Sequence, residues 1–198
     1  MSFDYAIALT GSISTGKSTV ASLLKLHGLQ AIDADAVAHE QLRINSDEIA
    51  KLFGPEYLSG SEIDRKKLGP LIFSNKEAKK ALEELLHPKI RESISQKSER
   101  FEKLKFPYLI DIPLFFETKA YDIKHVAVVY TNAEIQLKRI TKRDKMTQAE
   151  AQLRIDAQMD IELKKEKADW VIDNSGDLVH LQDECEKFVQ KVRVAFGV

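Results

Sequence analysis

Near the start of the chain lies the run Gly11-Ser12-Ile13-Ser14-Thr15-Gly16-Lys17-Ser18. Two glycines and a Lys-Ser pair at this spacing match the phosphate-binding loop pattern. Gly11 and Gly16 permit backbone angles that a side chain would block. The loop's N–H groups can then turn inward towards phosphate oxygens. A helix that follows adds the partial positive charge of its N-terminus. Lys17 can reach the β- and γ-phosphates, and the Ser18 hydroxyl can ligate Mg²⁺.

Such a loop needs a strand before it and a helix after it. Tyr5-Ala6-Ile7-Ala8-Leu9 reads as a short buried strand. Ser18 to Leu26 reads as a helix with Val20, Leu23, Leu24 and Leu26 on an apolar face. A chance glycine-rich turn would lack both neighbours, so the loop is expected to bind a nucleotide.

Further chemistry sits where later strands end. Gly28 to Asp33 reads as a glycine break and a second strand closing on Asp33-Ala34-Asp35. Carboxyl ends of strands are where ligands sit in open parallel sheets. Asp33 is read as the functional acid. Asp35 is read as the cap of a helix from Ala36 towards Leu42. Pro107 to Ile112 reads as a third strand whose Asp111 could hold Mg²⁺ or its waters. Glu117, after Pro113-Leu114-Phe115-Phe116, is either a helix-start charge or a site group. His125 to Tyr130 and Ala168 to Asp173 read as the fourth and fifth strands. Asn174-Ser175-Gly176 then turns the chain where a nucleotide base would rest, unless it is a plain turn.

Strands alternating with helices indicate a parallel sheet built from β-α-β units. Between the second and third strands, from about Asn45 to Glu102, no strong strand is visible. Helices are expected at Asp47 to Phe53, Arg65 to Phe73, Asn75 to Leu86 and Pro88 to about Phe101. Asp64-Arg65-Lys66-Lys67 is a basic cluster at a helix start, which is also how an ordinary solvated helix end looks. His87-Pro88 falls at the expected break, where a histidine satisfied by a backbone carbonyl competes with a site role.

After the fourth strand, Thr131 or Asn132 caps a helix carrying Lys138-Arg139 and Lys142-Arg143-Asp144. A second helix follows from Thr147 with capping-box spacing to Glu150 and carries Arg154. Either this is a solvent-facing hairpin or a lid closing over nucleotide. The phosphate loop elsewhere in the chain favours the lid.

Composition sets the outer bounds. The chain has 198 residues, enough for one α/β domain with an insertion. Thirty basic residues nearly balance thirty-one acidic ones, which gives no reason to expect nucleic acid or an anionic membrane. A single cysteine, Cys185, excludes an internal disulfide and suits a reducing cytosol. It is read as a buried small side chain. With no signal peptide and no apolar run of membrane-spanning length, a cytoplasmic location is expected.

Taken together, these motifs resemble the dephospho-CoA kinase family over nearly the whole chain. The resemblance runs through Leu9-Thr10-Gly11 to Ser18-Thr19-Val20, Asp33-Ala34-Asp35, Asp64 to Gly69, Leu86-His87-Pro88 to Arg91, and Asp111 to Glu117. It continues through Gln136 to Arg139, Arg143-Asp144, Arg154, Gln158 and Ala168 to Gly176. The family usually has more glycine where this chain has Ser12 and Ser14, and two leucines where it has Leu114-Phe115.

The resemblance implies a five-stranded parallel sheet flanked by helices, of the P-loop, nucleoside-monophosphate-kinase-like type, with the spatial order 2-3-1-4-5 by analogy with related kinases. It implies one domain, with a nucleotide-binding core at 1–40, 104–138 and 160–198, a helical acceptor-binding insertion at 41–103 and a lid at 139–159. It implies ATP-dependent phosphorylation of the ribose 3′-hydroxyl of dephospho-CoA, with Mg²⁺. Implied ATP contacts are Gly11, Ser12, Ile13, Ser14, Thr15, Gly16, Lys17, Ser18, Thr19 and Asn174. Implied acceptor contacts are Thr10, Asp33, Arg65, His87 and Leu114. Asp33, Lys17, Arg139 and Arg143 would carry the chemistry, with Ser18 and Asp111 at the metal. Neither nucleic acid nor membrane is an expected partner, and the expected state is a monomer or weak homo-oligomer.

Overall fold

The computed structural model describes residues 3–198. Five strands, β1 (Phe3–Gly11), β2 (Ala31–Asp33), β5 (Tyr108–Asp111), β6 (Ile123–Tyr130) and β7 (Trp170–Asp173), form one sheet. Their order is β2-β5-β1-β6-β7, which is the expected 2-3-1-4-5. β1 pairs parallel with β5, from Ala6–Tyr108 to Leu9–Asp111, and with β6 on its other side. β6 pairs parallel with β7. Ala6 to Leu9 and Ala127 to Val129 are fully buried, as central strands covered on both faces require. β2 lies at the sheet edge beside β5, so it does not neighbour β1 and its loop directly.

Helices cross over between the strands. α1 (Lys17–Leu26) follows β1, and α10 (Leu178–Phe196) closes the chain. The core joins Ile7, Leu9, Leu24, Leu109, Val129 and Ile172 to Leu181, Cys185, Phe188 and Val192 of α10. Cys185 is fully buried, as expected, and burial pushes its thiol up to about 11.

The chain divides into two compact units, one formed by Asp33–Lys97 and the other by the residues before and after it. Asp33–Lys97 holds α2 (Ala34–Ile44), α3 (Ser46–Phe53), α4 (Arg65–Ser74) and most of α5 (Lys76–Leu104). It also holds an antiparallel pair, β3 (Leu58–Ser59) and β4 (Glu62–Ile63), where no strand was expected. Two-residue strands are too short to show alternation in sequence.

α5 corrects a second expectation, because it is one helix of 29 residues and does not break at Pro88. The proline costs one intrahelical hydrogen bond, at the Glu84 carbonyl four residues back. Glu84 and Pro88 are exposed, so water can serve that carbonyl. On the other face Leu86, Ile90 and Ile94 are buried and hold the helix through the defect. Buried contacts on both sides of a proline override its local preference.

The remaining elements are α6 (Phe115–Thr118), α7 (Ala133–Asp144), α8 (Gln148–Asp156) and α9 (Ile161–Glu166). Asn132 caps α7 and the Thr147–Glu150 capping box starts α8, as the sequence indicates.

Candidate functional site

The loop joins the end of β1 at Gly11 to the start of α1 at Lys17. Two of its residues are left-handed, Ser14 at φ 62° and Gly16 at φ 88°. A Cβ on Gly16 would lie 2.2 Å from Asn174 Nδ2. Glycine is therefore required there twice over, by dihedral and by space. Ser14 bears the same backbone with a side chain attached, at a cost of about 1 kcal/mol or more. Its hydroxyl is buried without a protein partner.

Buried contacts fix the loop's outer side. Thr15 is fully buried, and its hydroxyl donates to Ser12 O at 2.9 Å. Thr15 O accepts from Asn174 Nδ2 at 2.7 Å. Ile13 N donates to Gln158 Oε1 at 2.8 Å. Lys17 Nζ donates to the Asp111 carboxylate and forms an ion pair with it. The strand register explains that pairing, because Asp111 lies opposite Leu9 on the neighbouring strand.

A cavity of about 680 Å³ opens over the loop. Loop residues Gly11 to Ser14 and Gly16 to Ser18 line it, faced by Pro113, Arg139, Lys142, Arg143 and Gln158. A second cavity of about 350 Å³ shares Gly16 and Arg139 and adds Thr19, Asn174 and Leu178. Arg139 Nη2 donates to Asn174 O at 2.9 Å, while Nη1 is buried without a protein acceptor. A buried guanidinium N–H left unpaired is costly, and an anion in the cavity would relieve it.

Arg143 makes a two-point contact with Asp144, at 2.7 and 3.1 Å. Arg154 of α8 reaches the same carboxylate at 3.1 Å. The hydrogen bond from Arg143 holds the Asp144 carboxyl below its ordinary value, helped by the charges of both arginines. This carboxylate ties α7 to α8.

In the Asp33–Lys97 unit the candidate residues lie on exposed positions. Asp33 ends β2, and its carboxylate accepts from Ala36 N at 2.9 Å. Asp33 is therefore the N-cap of α2, and Asp35 sits inside the first turn. This reverses the expected capping assignment. The helix begins two residues earlier than its apolar pattern suggested, so the cap moves back with it. A capping bond to one carboxylate oxygen leaves the other available, so capping does not preclude chemistry.

Arg65 Nη2 meets His39 Nε2 at 3.1 Å. Arg65 also lines a cavity of about 480 Å³ with Leu42, Leu68, Ile72, Phe73 and Leu82. His87 is exposed on α5 and does not line that cavity. In the other unit, Thr10 is fully buried and donates to Pro113 O at 3.0 Å, whereas Leu114 is exposed. Among the described residues there is no cluster of three or more His, Cys, Asp or Glu able to hold a metal. No helix among them is long and apolar enough to cross a membrane.

Lys142 lines the loop cavity, yet the sequence reading did not single it out as a site residue. Lys164 escaped notice altogether. It stands in the charged run Leu163-Lys164-Lys165-Glu166-Lys167 yet is fully buried. The available signal was helical spacing, since Lys164 falls three residues after the buried Ile161.

The family model for dephospho-CoA kinase matches residues 5–180. A dephospho-CoA kinase from Sulfurimonas denitrificans is 56% identical over 196 residues, covering 99% of this chain and 98% of its own length. One from Wolinella succinogenes is 44% identical, covering 100% and 99%. The solved dephospho-CoA kinase from Campylobacter jejuni superposes with a TM-score of 0.78 at 39% identity, covering 96% of this chain and 98% of that one.

Proposed function

Because the chain belongs to the dephospho-CoA kinase family and is an ATP-dependent kinase of coenzyme A biosynthesis, we propose that it transfers the γ-phosphoryl group of ATP to the ribose 3′-hydroxyl of dephospho-CoA, at the phosphate loop and its facing arginines. The observation that carries this reading is the loop cavity, lined on one side by loop residues and on the other by Arg139, Lys142 and Arg143. Its cationic lining and the buried Arg139 Nη1, which has no protein acceptor, support an anion-binding role for it. The adjoining cavity at Thr19 and Asn174 is assigned to the base.

Phosphoryl transfer requires positioning and charge neutralisation more than covalent help from the protein. Lys17 and the loop amides hold the ATP phosphates. Arg139 and Arg143 stabilise charge on the transferring group, Arg139 through its unpaired Nη1. Segment 139–159 acts as the lid that brings these arginines in. Ser18 and Asp111 offer a hydroxyl and a carboxylate, the hard oxygen donors that suit Mg²⁺. When bound, Mg²⁺ would neutralise phosphate charge there. Asp33, at the carboxyl end of β2, aligns the acceptor hydroxyl and takes its proton. Arg65 and His87 hold the acceptor, with the exposed Leu114 at its edge; Thr10, fully buried and bonded to Pro113 O, supports that segment without touching the acceptor. We assign the nucleotide-binding core to 1–40, 104–138 and 160–198, the acceptor-binding insertion to 41–103 and the lid to 139–159, in a cytoplasmic monomer or weak homo-oligomer.

Incubation with Mg-ATP and dephospho-CoA, followed by mass detection, tests the reaction. The expected result is CoA and ADP in equal amounts. ADP without CoA, or phosphorylation of other nucleotides at a higher rate, would overturn it.

A further inference from the structure

Residues 158–164 grip the opening turn of the phosphate loop at three successive positions. Gly11 O accepts from Lys164 Nζ at 2.9 Å. Ser12 Oγ donates to Met159 O at 3.4 Å. Ile13 N donates to Gln158 Oε1 at 2.8 Å. Glu117 closes the arrangement, since its Oε1 pairs with Lys164 Nζ at 2.8 Å and accepts from Met159 N at 3.0 Å. Gly11, Lys164, Glu117, Met159 and Ser12 thus form a ring of contacts against the side of the loop.

Lys164 is fully buried. A buried ammonium must be matched by a carboxylate and further acceptors, and Glu117 and Gly11 O supply them. Such a pair is often no more stabilising than an apolar pair of equal volume. Stability alone therefore gives little reason for a lysine here. Geometry gives a better one. The ammonium holds the Gly11 carbonyl, so that oxygen does not turn towards the anionic site. The Gln158 carbonyl fixes the Ile13 amide at the cavity wall.

We propose that Lys164 and Glu117, with Gln158, are positioning residues for phosphoryl transfer. They set the Gly11–Ile13 turn, and through it the register of the loop amides against the ATP phosphates. The inference rests on the phosphate loop being the ATP site. It resolves Glu117, which the sequence left between a helix-start charge and a site group.

Steady-state kinetics of the full-length Glu117→Gln, Gln158→Ala, Lys164→Met and Lys164→Arg variants test this. Thermal midpoints without ligand are recorded alongside. Lys164→Met should lower kcat/KM for ATP about ten- to hundredfold, the range for small misplacement of a reacting group. The KM for dephospho-CoA should stay within about twofold, because the ring touches only the loop. Lys164→Arg should recover part of the loss. Glu117→Gln keeps an acceptor at Oε1, so it remains testable if Lys164→Met does not fold. It and Gln158→Ala should each raise the KM for ATP several-fold.

Lower thermal midpoints with wild-type KM for ATP in Glu117→Gln and Gln158→Ala would overturn the inference. Equal losses for both substrates would also overturn it. Lys17→Ala separates the two levels. If Lys17→Ala uses ATP normally, the ATP-site reading falls and takes this inference with it. If Lys17→Ala is crippled while the Glu117, Gln158 and Lys164 variants match wild type, only this inference falls.

Discussion

The phosphate-loop region and the Asp33–Lys97 unit hold their candidate residues in opposite ways. Around the loop, Thr15, Asn174, Lys164 and Asp111 are buried, and each has a partner fixed by the sheet or the loop itself. In the other unit, Asp33, Arg65 and His87 are exposed, and the hydrogen bonds of Asp33 to Ala36 and of Arg65 to His39 stay within their own unit. Folding alone sets the geometry of the first group. The second group consists of exposed side chains on helices and a strand end, whose working geometry, on the proposed reading, a bound acceptor would complete. Substitutions should therefore separate the two regions by kinetic signature as well as by size.

The largest effect is expected at Lys17. Lys17→Ala leaves phosphate charge uncompensated, so turnover should fall about a thousandfold. The protein should still fold, with a thermal midpoint lowered by the loss of the Lys17–Asp111 ion pair. Near-normal turnover at saturating ATP would mean that the preset region is not the catalytic one.

Asp33→Asn comes next, with turnover lower by about a hundredfold and both KM values little changed. Asparagine is as good an N-cap as aspartate, so α2 should survive and the loss can be read as chemistry. If Asp33→Asn turns over normally while Asp35→Asn does not, the acid has been assigned to the wrong residue.

Arg65→Ala should raise the KM for dephospho-CoA about tenfold, the loss of one charge-assisted hydrogen bond, and leave that for ATP unchanged. Equal shifts for both substrates would erase the distinction between the two regions.

The smallest effect is expected at Asp144, in the solvent-facing link between α7 and α8. Its folded-state pKa lies below the ordinary 3.8, chiefly through the hydrogen bond from Arg143. The contribution is therefore fully present above that value and disappears as pH falls through the folded-state pKa. Thermal midpoints of wild type and Asp144→Asn should differ slightly at neutral pH and converge in strong acid. A gap that persists in acid would show that the carboxylate's charge is not what joins the helices.

The same contrast explains what could be read from the sequence. The sheet was legible because buried parallel strands are short apolar runs, as in Ala6 to Leu9 and Val126 to Val129. The loop was legible because its backbone demands glycines at fixed places. Residues that act by position were harder. Asp33 and Asp35 differ only in where a helix starts, and two residues moved the cap from one to the other. Pro88 signalled a break that Leu86, Ile90 and Ile94 override from the far side of the helix. Lys164 reads as one more solvated lysine until three-dimensional packing places it beneath Gly11.

The burial of Cys185 has a practical consequence for labelling. It is the chain's one sulfhydryl, lies at zero exposure and is pushed up to about 11, so near-neutral maleimide should leave it unmodified. The natural sequence is then already a cysteine-silent background. New cysteines at the exposed Lys76 and Lys145 would accept a donor and acceptor dye without core mutation. Energy transfer between them, with and without each substrate, would turn the kinetic contrast into a distance.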